Sequence, residues 1–191
     1  TIAAKAVAFG EALQPEFKTY AKQIKKNAAV LADELQKRGF VLIGGGTSNH
    51  LILADVHSSF GIDGAVAEKA LDKVGLNLNK NSIPNDTLPP FRPSGIRLGT
   101  PAITTRGLKE DDMVKIAEWM KQAIDAREDD AKLAAIHDEV IAFARQFPLP
   151  SDTKSGACQD CKACKDCGCG ETDPSKTCKC GETCSCKTCK C

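Results

Sequence analysis

Cysteine is absent from residues 1–157, although the chain of 191 residues contains eleven cysteines. Residues 151–191, in turn, contain no Val, Ile, Leu, Met, Phe, Tyr, Trp or His. A segment without these side chains has nothing apolar to bury, so any order in it must come from cross-links or metal ions. We therefore predict a folded domain over residues 1–148, a linker over 149–157, and a cysteine-rich tail over 158–191 that has no hydrophobic core.

Blocks of basic residues are also missing. The 26 Lys and Arg residues are balanced by 25 Asp and Glu, which gives a net charge of +1, and aromatic residues make up only 5% of the chain. We therefore expect no nucleic-acid partner. No apolar run approaches the roughly 20 residues of a membrane helix and no signal peptide is recognisable, so we expect a cytoplasmic protein without a membrane partner. Thr1 lies inside a helical pattern with no start signal before it, and we expect the protein to begin upstream of Thr1.

Hydrophobic periodicity predicts the elements of the domain. Apolar residues at helical spacing predict five helices, over about residues 2–13, 15–39, 63–75, 113–124 and 133–143. Short apolar runs predict three strands, at residues 40–43, 51–56 and 96–98, and the first two should be antiparallel neighbours. Prolines and asparagines follow one another quickly over residues 76–93, which predicts an ordered but irregular loop. This order predicts an α+β fold, with helices covering one face of a small antiparallel sheet.

Four separated motifs carry a family resemblance. Residues 94–107 read SGIRLGTPAITTRG, residues 79–84 read NKNSIP, residues 3–9 read AAKAVAF and residues 45–51 read GGTSNHL. In sequence, order and spacing these motifs resemble the serine hydroxymethyltransferases, and the likeness covers about residues 1–148. The resemblance implies the small C-terminal domain of a fold-type-I pyridoxal-phosphate enzyme, joined to a large domain by its first helices. It also implies that a one-carbon unit is exchanged between serine and tetrahydrofolate, which yields glycine.

Arg97 is the candidate substrate-binding residue, because the resemblance places the arginine of the SGIR motif on the substrate carboxylate. A guanidinium can hold a planar carboxylate through two parallel N–H bonds. Fixing that group orients the bonds of the substrate Cα above the cofactor ring. Without the surrounding motif, Arg97 would be taken for a surface arginine at the end of a strand.

The resemblance places part of the folate site at Asn81, Pro89, Pro90 and Phe91. An amide side chain offers both a donor and an acceptor, which suits the hydrogen-bonding edge of a pterin. The alternative is that the asparagines and prolines only shape a turn. The chain departs from the commonest family pattern at residues 92–93, which affects the contacts expected near Phe91.

In this family the lysine that forms the Schiff base with pyridoxal 5'-phosphate directly follows a histidine. None of His50, His57 and His137 is followed by lysine. The resemblance therefore implies that the catalytic lysine and the large domain lie outside this chain, which contributes no catalytic residue and is inactive alone. It implies a homodimer for the complete enzyme. We expect His50 to be a satisfied structural residue and the other two histidines to be solvated.

The cysteines of the tail form interleaved Cys-x-Cys and Cys-x2-Cys pairs with lysines beside them, a composition that resembles metallothioneins. They are Cys158, Cys161, Cys164, Cys167, Cys169, Cys178, Cys180, Cys184, Cys186, Cys189 and Cys191. In a reducing compartment such a density of thiols favours metal or redox chemistry over disulfides. Zinc takes four thiolates, so eleven could saturate about four ions if about five of them bridge two metals. Cu(I) is equally compatible with these soft ligands.

Two alternatives to this metal site stay open. The first four cysteines approximate an iron–sulfur spacing, although their last gap is two residues rather than three and no proline follows. The tail could also be a thiol-rich segment without a dedicated ligand. For the whole chain two functions therefore remain: a piece of a hydroxymethyltransferase that works with its large domain, or a stand-alone metal-binding protein with an inert scaffold.

Overall fold

The computed structural model describes residues 1–149, and the predicted tail with all its cysteines lies outside them. The helices and strands alternate irregularly along the chain. They are α1 (Ile2–Ala12), α2 (Pro15–Lys37), β1 (Val41–Leu42), β2 (Leu51–Asp55), α3 (Val56–Phe60), α4 (Gly64–Lys73), β3 (Asn79–Asn81), β4 (Gly95–Gly99), α5 (Pro101–Thr105), α6 (Glu110–Asp125) and α7 (Asp130–Ala144). A 3-10 turn at Ile43–Gly45 follows β1. Within this part of the chain, no helix is both long enough and apolar enough to cross a bilayer.

The four strands of the described residues form one antiparallel sheet in the order β1-β2-β4-β3. In its centre Ala54 of β2 lies opposite Ile96 of β4, and Leu53 lies opposite Arg97. Because side chains alternate between the two faces of a strand, Ala54 and Ile96 share one face and Leu53 and Arg97 share the other. The first pair is fully buried, whereas Arg97 is exposed. The sheet therefore has one face in the core and one open face.

Helices α2 and α6 pack against each other and supply much of the core, which agrees with their apolar spacing, while α4 packs on β3 and β4. The core cluster combines Leu31 and Leu35 of α2 with Met113 and Met120 of α6, all at most 2% exposed. Burying such a side chain stabilises the fold by roughly 1.5–3 kcal/mol. Asn27 of α2 is also fully buried, and its amide nitrogen donates to Thr104 Oγ1 and to the carbonyl of Leu108, each at 2.9 Å. Its buried polar group is thereby satisfied, and the start of α6 is tied to α2.

The predicted α+β fold with a small antiparallel sheet is confirmed. Three local predictions were wrong. Residues 79–81, predicted as loop, form β3, a polar strand whose backbone pairs with β4. Val56, predicted as strand, begins α3, because the carboxylate of Asp55 accepts from the backbone N–H of Ser58 at 2.9 Å and caps that helix. Ile43 leaves β1 for the 3-10 turn.

Helix α1 differs from the other long helices in having no buried residue. Its apolar side chains are largely exposed, at 85% for Ile2, 62% for Val7 and 68% for Phe9. Soluble domains seldom leave such a run of large apolar side chains uncovered without an interaction partner. The helix was predicted from the spacing of its apolar residues, but within residues 1–149 it contributes little to the core.

Candidate functional site

Arg97 lies on the open face of the sheet, in the middle of strand β4. Its cross-strand neighbours are Leu53 on β2 and Asn79 on β3. The side chain is exposed, and within residues 1–149 no hydrogen bond or ion pair engages its guanidinium. All five N–H donors are therefore available to a ligand, and two of them can meet a carboxylate in parallel.

The other arginines of the described residues show how unusual this is. Four of them bond to a carboxylate or a carbonyl oxygen, namely Arg38, Arg92, Arg106 and Arg127. Arg145, at the exposed end of α7, shares with Arg97 the lack of a side-chain partner within residues 1–149. Among residues 1–149, Arg97 is the one arginine that combines a free guanidinium with a place on a β-sheet.

Strand β3 brings two asparagines to the same face as Arg97. Asn79 lies directly opposite Arg97 and Asn81 lies opposite Gly95. For such positions the Cβ atoms of direct partners are about 5 Å apart and diagonal neighbours about 7–8 Å. The amide nitrogen of Asn81 donates to the carbonyl of Ser82 at 2.7 Å, and no hydrogen bond reaches its Oδ1 within the described residues. The site therefore joins a free cation to an available amide acceptor.

Sequence reasoning missed Asn79, although the signal for it was present. In the Asn-Lys-Asn run, every second side chain points to the same side once the run is recognised as a strand. Lys80 then points to the opposite face, where its ammonium lies 2.6 Å from Glu68 Oε2 on α4. A strand is usually recognised by alternating apolar and polar residues. Because all three residues of β3 are polar, this alternation is absent and the strand was not predicted.

The predicted folate residues Pro89, Pro90 and Phe91 lie on the outer part of the loop that joins β3 to β4. All three are exposed, with Phe91 at 72%. The carbonyl of Pro89 accepts from the backbone N–H of Arg92 at 2.8 Å, which closes a turn. The prolines thus shape a turn, and the Phe91 ring is left open to a ligand. Within residues 1–149 no ring or hydrogen-bond contact joins Phe91 to Asn81 or Arg97.

Asp86 organises the inner part of the same loop. Its Oδ1 accepts from Leu88 N at 2.9 Å and from Ser94 Oγ at 2.6 Å, and its Oδ2 accepts from Ile83 N at 3.2 Å and from Ser94 N at 2.9 Å. The hydroxyl of Ser94, followed by the Ser94 N–H, holds the pKa of Asp86 well below its ordinary value. The carboxylate therefore stays charged at neutral pH and ties together both ends of the loop.

Arg92, where the sequence departs from the commonest family pattern, fastens the loop to α4. Its Nε donates to Asp63 Oδ2 at 2.7 Å, and the other carboxylate oxygen of Asp63 accepts from Val66 N at 2.9 Å as the helix N-cap. Burial would raise the pKa of Asp63, but the hydrogen bonds from Val66 and Arg92 outweigh it and lower that pKa. Gly64, next along α4, donates its N–H to the carbonyl of Pro93 at 2.6 Å. The loop and the start of α4 are thus packed backbone to backbone.

The three histidines lie away from this arrangement. The carbonyl of His50 accepts from Thr100 N at 3.2 Å, but its imidazole is exposed, so the prediction of a satisfied side chain was wrong. His57 is exposed on α3, and His137 is partly exposed on α7 with its Nδ1 3.4 Å from Asp138. Both lie at the surface, as predicted.

No group of three or more His, Cys, Asp or Glu within residues 1–149 could hold a metal ion, and the predicted cysteine ligands lie outside this range. No buried side-chain nitrogen or oxygen within residues 1–149 lacks a hydrogen-bond partner. The buried polar side chains of these residues are therefore all engaged within the domain, whereas the guanidinium of Arg97 at the surface is not.

The chain matches known proteins over most of its length. The family model described as "Serine hydroxymethyltransferase" matches residues 1–120. The serine hydroxymethyltransferase of Acidobacterium capsulatum is 55% identical over 148 residues, which are 78% of this chain and 34% of that protein. That of Xanthomonas campestris pv. campestris is 52% identical over 148 residues, which are 78% of this chain and 35% of that protein. The chain thus spans about a third of the length of the curated relatives it matches.

Proposed function

Because the chain belongs to the serine hydroxymethyltransferase family, we propose that its first 148 residues are the C-terminal domain of a glycine hydroxymethyltransferase. The reaction is the interconversion of serine and glycine with tetrahydrofolate as co-substrate. In this proposal a large domain outside these residues holds pyridoxal phosphate and the catalytic lysine, and the complete enzyme is a homodimer. The observation that carries the proposal is the free guanidinium of Arg97 beside the asparagines of β3 on an open sheet face.

Arg97 binds the α-carboxylate of serine or glycine. The planar fork of the guanidinium meets both carboxylate oxygens, which fixes the rotation of the substrate as well as its position. When bound, pyridoxal phosphate supplies the electron sink for bond cleavage at the substrate Cα. The contribution of Arg97 is to hold the bond that breaks in the required orientation. Strand β4 makes that orientation rigid, because it pairs with a strand on each side.

The folate contacts come from β3 and the loop that follows it. The amide of Asn81 can accept from, or donate to, the pterin edge, since its Oδ1 is free among the described residues. Phe91 offers an exposed aromatic ring against which a flat ring system can stack, and Pro89 and Pro90 hold the turn that presents it. The amino-acid site and the folate site are thereby built from neighbouring strands of one sheet.

The exposed helix α1 fits the same proposal. In the complete enzyme its apolar side chains Ile2, Val7 and Phe9 pack against the large domain, which removes them from water. Burial of the three would stabilise the assembly by several kcal/mol in total, at roughly 1.5–3 kcal/mol each.

A chimaera tests this proposal. Residues 1–148 would replace the corresponding third of the Acidobacterium capsulatum enzyme, and serine-dependent turnover with tetrahydrofolate would be measured in the purified protein. The proposal expects turnover in the chimaera and its loss in the Arg97→Lys variant. Arg145→Lys is the matched control, because it changes the other unpartnered arginine of the described residues without touching the sheet. A folded chimaera without turnover would contradict the proposal.

We propose a second function, metal binding, for the tail. It rests on the spacing of eleven cysteines within residues 158–191 and on the lysines between them. Thiolate clusters keep excess negative charge after metal binding, which neighbouring lysines offset. The ions proposed are zinc or Cu(I). Metal titration of a peptide covering residues 151–191 tests this function separately from the enzyme domain.

A further inference from the structure

The connection between β3 and β4 contains a carboxylate whose hydrogen bonds exceed what a turn needs. A turn residue that caps its own backbone usually accepts one or two hydrogen bonds, whereas Asp86 accepts four, all from donors inside residues 83–94. The preceding residue, Asn85, has a positive φ of 58°. This conformation is uncommon for a residue with a side chain, although asparagine tolerates it better than most. The loop is therefore held in one particular shape.

Three of the four bonds hold the two ends of the loop, next to the strands of the proposed site. Ile83 lies two residues after Asn81, at the end of β3, and Ser94 directly precedes β4, three residues before Arg97. A methyl group of Ile83 also lies against Gly95, where an added Cβ would be only 2.7 Å from Ile83 Cγ2. A single carboxylate thus joins the end of one strand to the beginning of the other.

Strand β3 needs this connection more than β4 does. Strand β4 is central and pairs with β2 over five residue positions. Strand β3 lies at the edge of the sheet, has three polar residues, and pairs only with β4. No apolar side chain of β3 anchors it in the core, so its position depends on backbone pairing, on the Lys80–Glu68 ion pair and on Asp86.

We propose that Asp86 is a positioning residue that sets the place of Asn81 relative to Arg97, and hence the alignment of the folate with the amino-acid substrate. This inference rests on the proposed function of the domain. Asp86 touches neither substrate in this proposal. It acts through the loop, and mainly on the folate side, because β4 keeps its pairing with β2 when the loop is loosened.

The chemistry of the four partners requires a carboxylate at this position. All four are donors: three backbone N–H groups and one hydroxyl. Asparagine has nearly the same shape, but its NH2 group would face either the N–H groups of Ile83 and Ser94 or, if the amide turned over, the N–H of Leu88 and the Ser94 hydroxyl, which could rotate to accept. Asp86→Asn therefore removes one of the two acceptor oxygens and opposes a donor to at least one backbone N–H, with little change in volume.

The Asp86→Asn variant of the chimaera is the first test. We expect its KM for tetrahydrofolate to rise about tenfold, as for the loss of charged hydrogen bonds, while its KM for serine changes less than about threefold. A merely structural role would lower the amount of folded enzyme without splitting the two KM values. Asp129→Asn is the matched control, since that carboxylate also accepts from a backbone N–H, at 3.1 Å, but caps α7. Equal KM values in wild type and Asp86→Asn would overturn the inference.

Amide hydrogen exchange in the full chain of 191 residues is the second test, and it does not depend on turnover. In Asp86→Asn the backbone amides of β3 should exchange at least about tenfold faster, while those of β2 keep their rates. Unchanged exchange in β3 would overturn the inference whatever the kinetics. The two tests can give different answers. If the wild-type chimaera has no turnover but Asp86→Asn speeds amide exchange in β3, the proposed function is wrong and the role of Asp86 in positioning β3 is supported.

Discussion

Arg97 and Asn79 lie directly opposite each other on neighbouring antiparallel strands, on the face of the sheet that the helices leave open. This pairing fixes the distance between the backbone of Arg97 and a strand that carries two amide side chains. Backbone hydrogen bonds set that distance, so it is the same whichever rotamers the side chains adopt.

Substitution of Arg97 should abolish the amino-acid site while leaving the fold intact. In a complete enzyme with this C-terminus, Arg97→Lys keeps the charge but loses the planar fork, so kcat/KM for serine should fall about 100-fold or more, or about 3 kcal/mol. The melting temperature should stay within about 2 °C, because no described residue bonds to the Arg97 side chain. Steady-state kinetics and calorimetry measure the two effects. Near-normal kinetics would remove Arg97 from the carboxylate site.

The chain of 191 residues should show no cofactor chemistry of its own. In this family the Schiff-base lysine directly follows a histidine, and none of the histidines of this chain is followed by lysine. Addition of the cofactor should therefore give no absorption band of a specific lysine-linked species, and serine should not be consumed. The enzyme of Acidobacterium capsulatum, treated in the same way, serves as the control. A stoichiometric chromophore with turnover in the short chain would contradict this prediction.

Gly64 should not tolerate even a methyl group. A Cβ at this position would lie 2.1 Å from the carbonyl oxygen of Gly95, a backbone atom that cannot move without disturbing β4. We expect Gly64→Ala to lower the free energy of unfolding by about 3 kcal/mol, at the upper end of ordinary overpacking costs. Gly10→Ala is the control, because its Cβ would meet nothing within 4 Å on the exposed helix α1, and it should leave stability unchanged or slightly raised. Urea unfolding followed by circular dichroism distinguishes the two.

The contribution of Asp86 to stability should depend on pH in a defined direction. Hydrogen bonds from Ser94 lower the pKa of the folded carboxyl below its unfolded value of about 3.9. The stabilisation is therefore complete above pH 4 to 5 and is lost as the pH falls from there through the folded pKa. The difference in free energy of unfolding between wild type and Asp86→Asn should be constant from pH 7 to 5 and shrink below pH 4.

Ser94→Ala provides the control for this titration. It removes the hydroxyl that contributes most to the lowered pKa of Asp86 but keeps the Ser94 backbone N–H. The folded pKa should then rise toward the unfolded value, so the decline should be smaller and should end at a higher pH than in the wild type, while its onset stays at the unfolded pKa. If the difference in free energy of unfolding between wild type and Asp86→Asn instead increases as the pH falls, the predicted direction of the pH dependence is wrong.

The tail should bind metal through its thiolates. A peptide of residues 151–191 should take up about four zinc ions by the count of bridging sulfurs, and none after alkylation of its cysteines. Because thiolates must lose their protons to bind, uptake should release protons and weaken below neutral pH. Native mass spectrometry gives the stoichiometry, and a peptide that ignores excess zinc would end the metal proposal. An intense visible absorption after supply of iron and sulfide would favour the iron–sulfur alternative.

The sequence predicts the helices of this domain better than its sheet edges, for a physical reason. Helices α2 and α6 carry apolar side chains at helical spacing, and those side chains form the core. Strand β3 has no apolar residue, and it forms because β4 offers partners for its backbone hydrogen bonds. These partners lie more than ten residues away in the sequence, so the local sequence pattern does not predict the strand. Arg97 and Asn81 were reached through a family motif. Asn79 and Asp86 needed the register of the strands and the hydrogen bonds of the loop.

The two outer strands of the sheet are very short, with two residues in β1 and three in β3. Unpaired strand edges are where protein chains add to one another and start aggregates, and short or charged edges suppress this. An Asn-Lys-Asn edge offers an incoming strand few backbone groups and no apolar side chain to bury. The domain can therefore leave Arg97 uncovered on one face of its sheet without offering the rim of that sheet as a template for polymer growth.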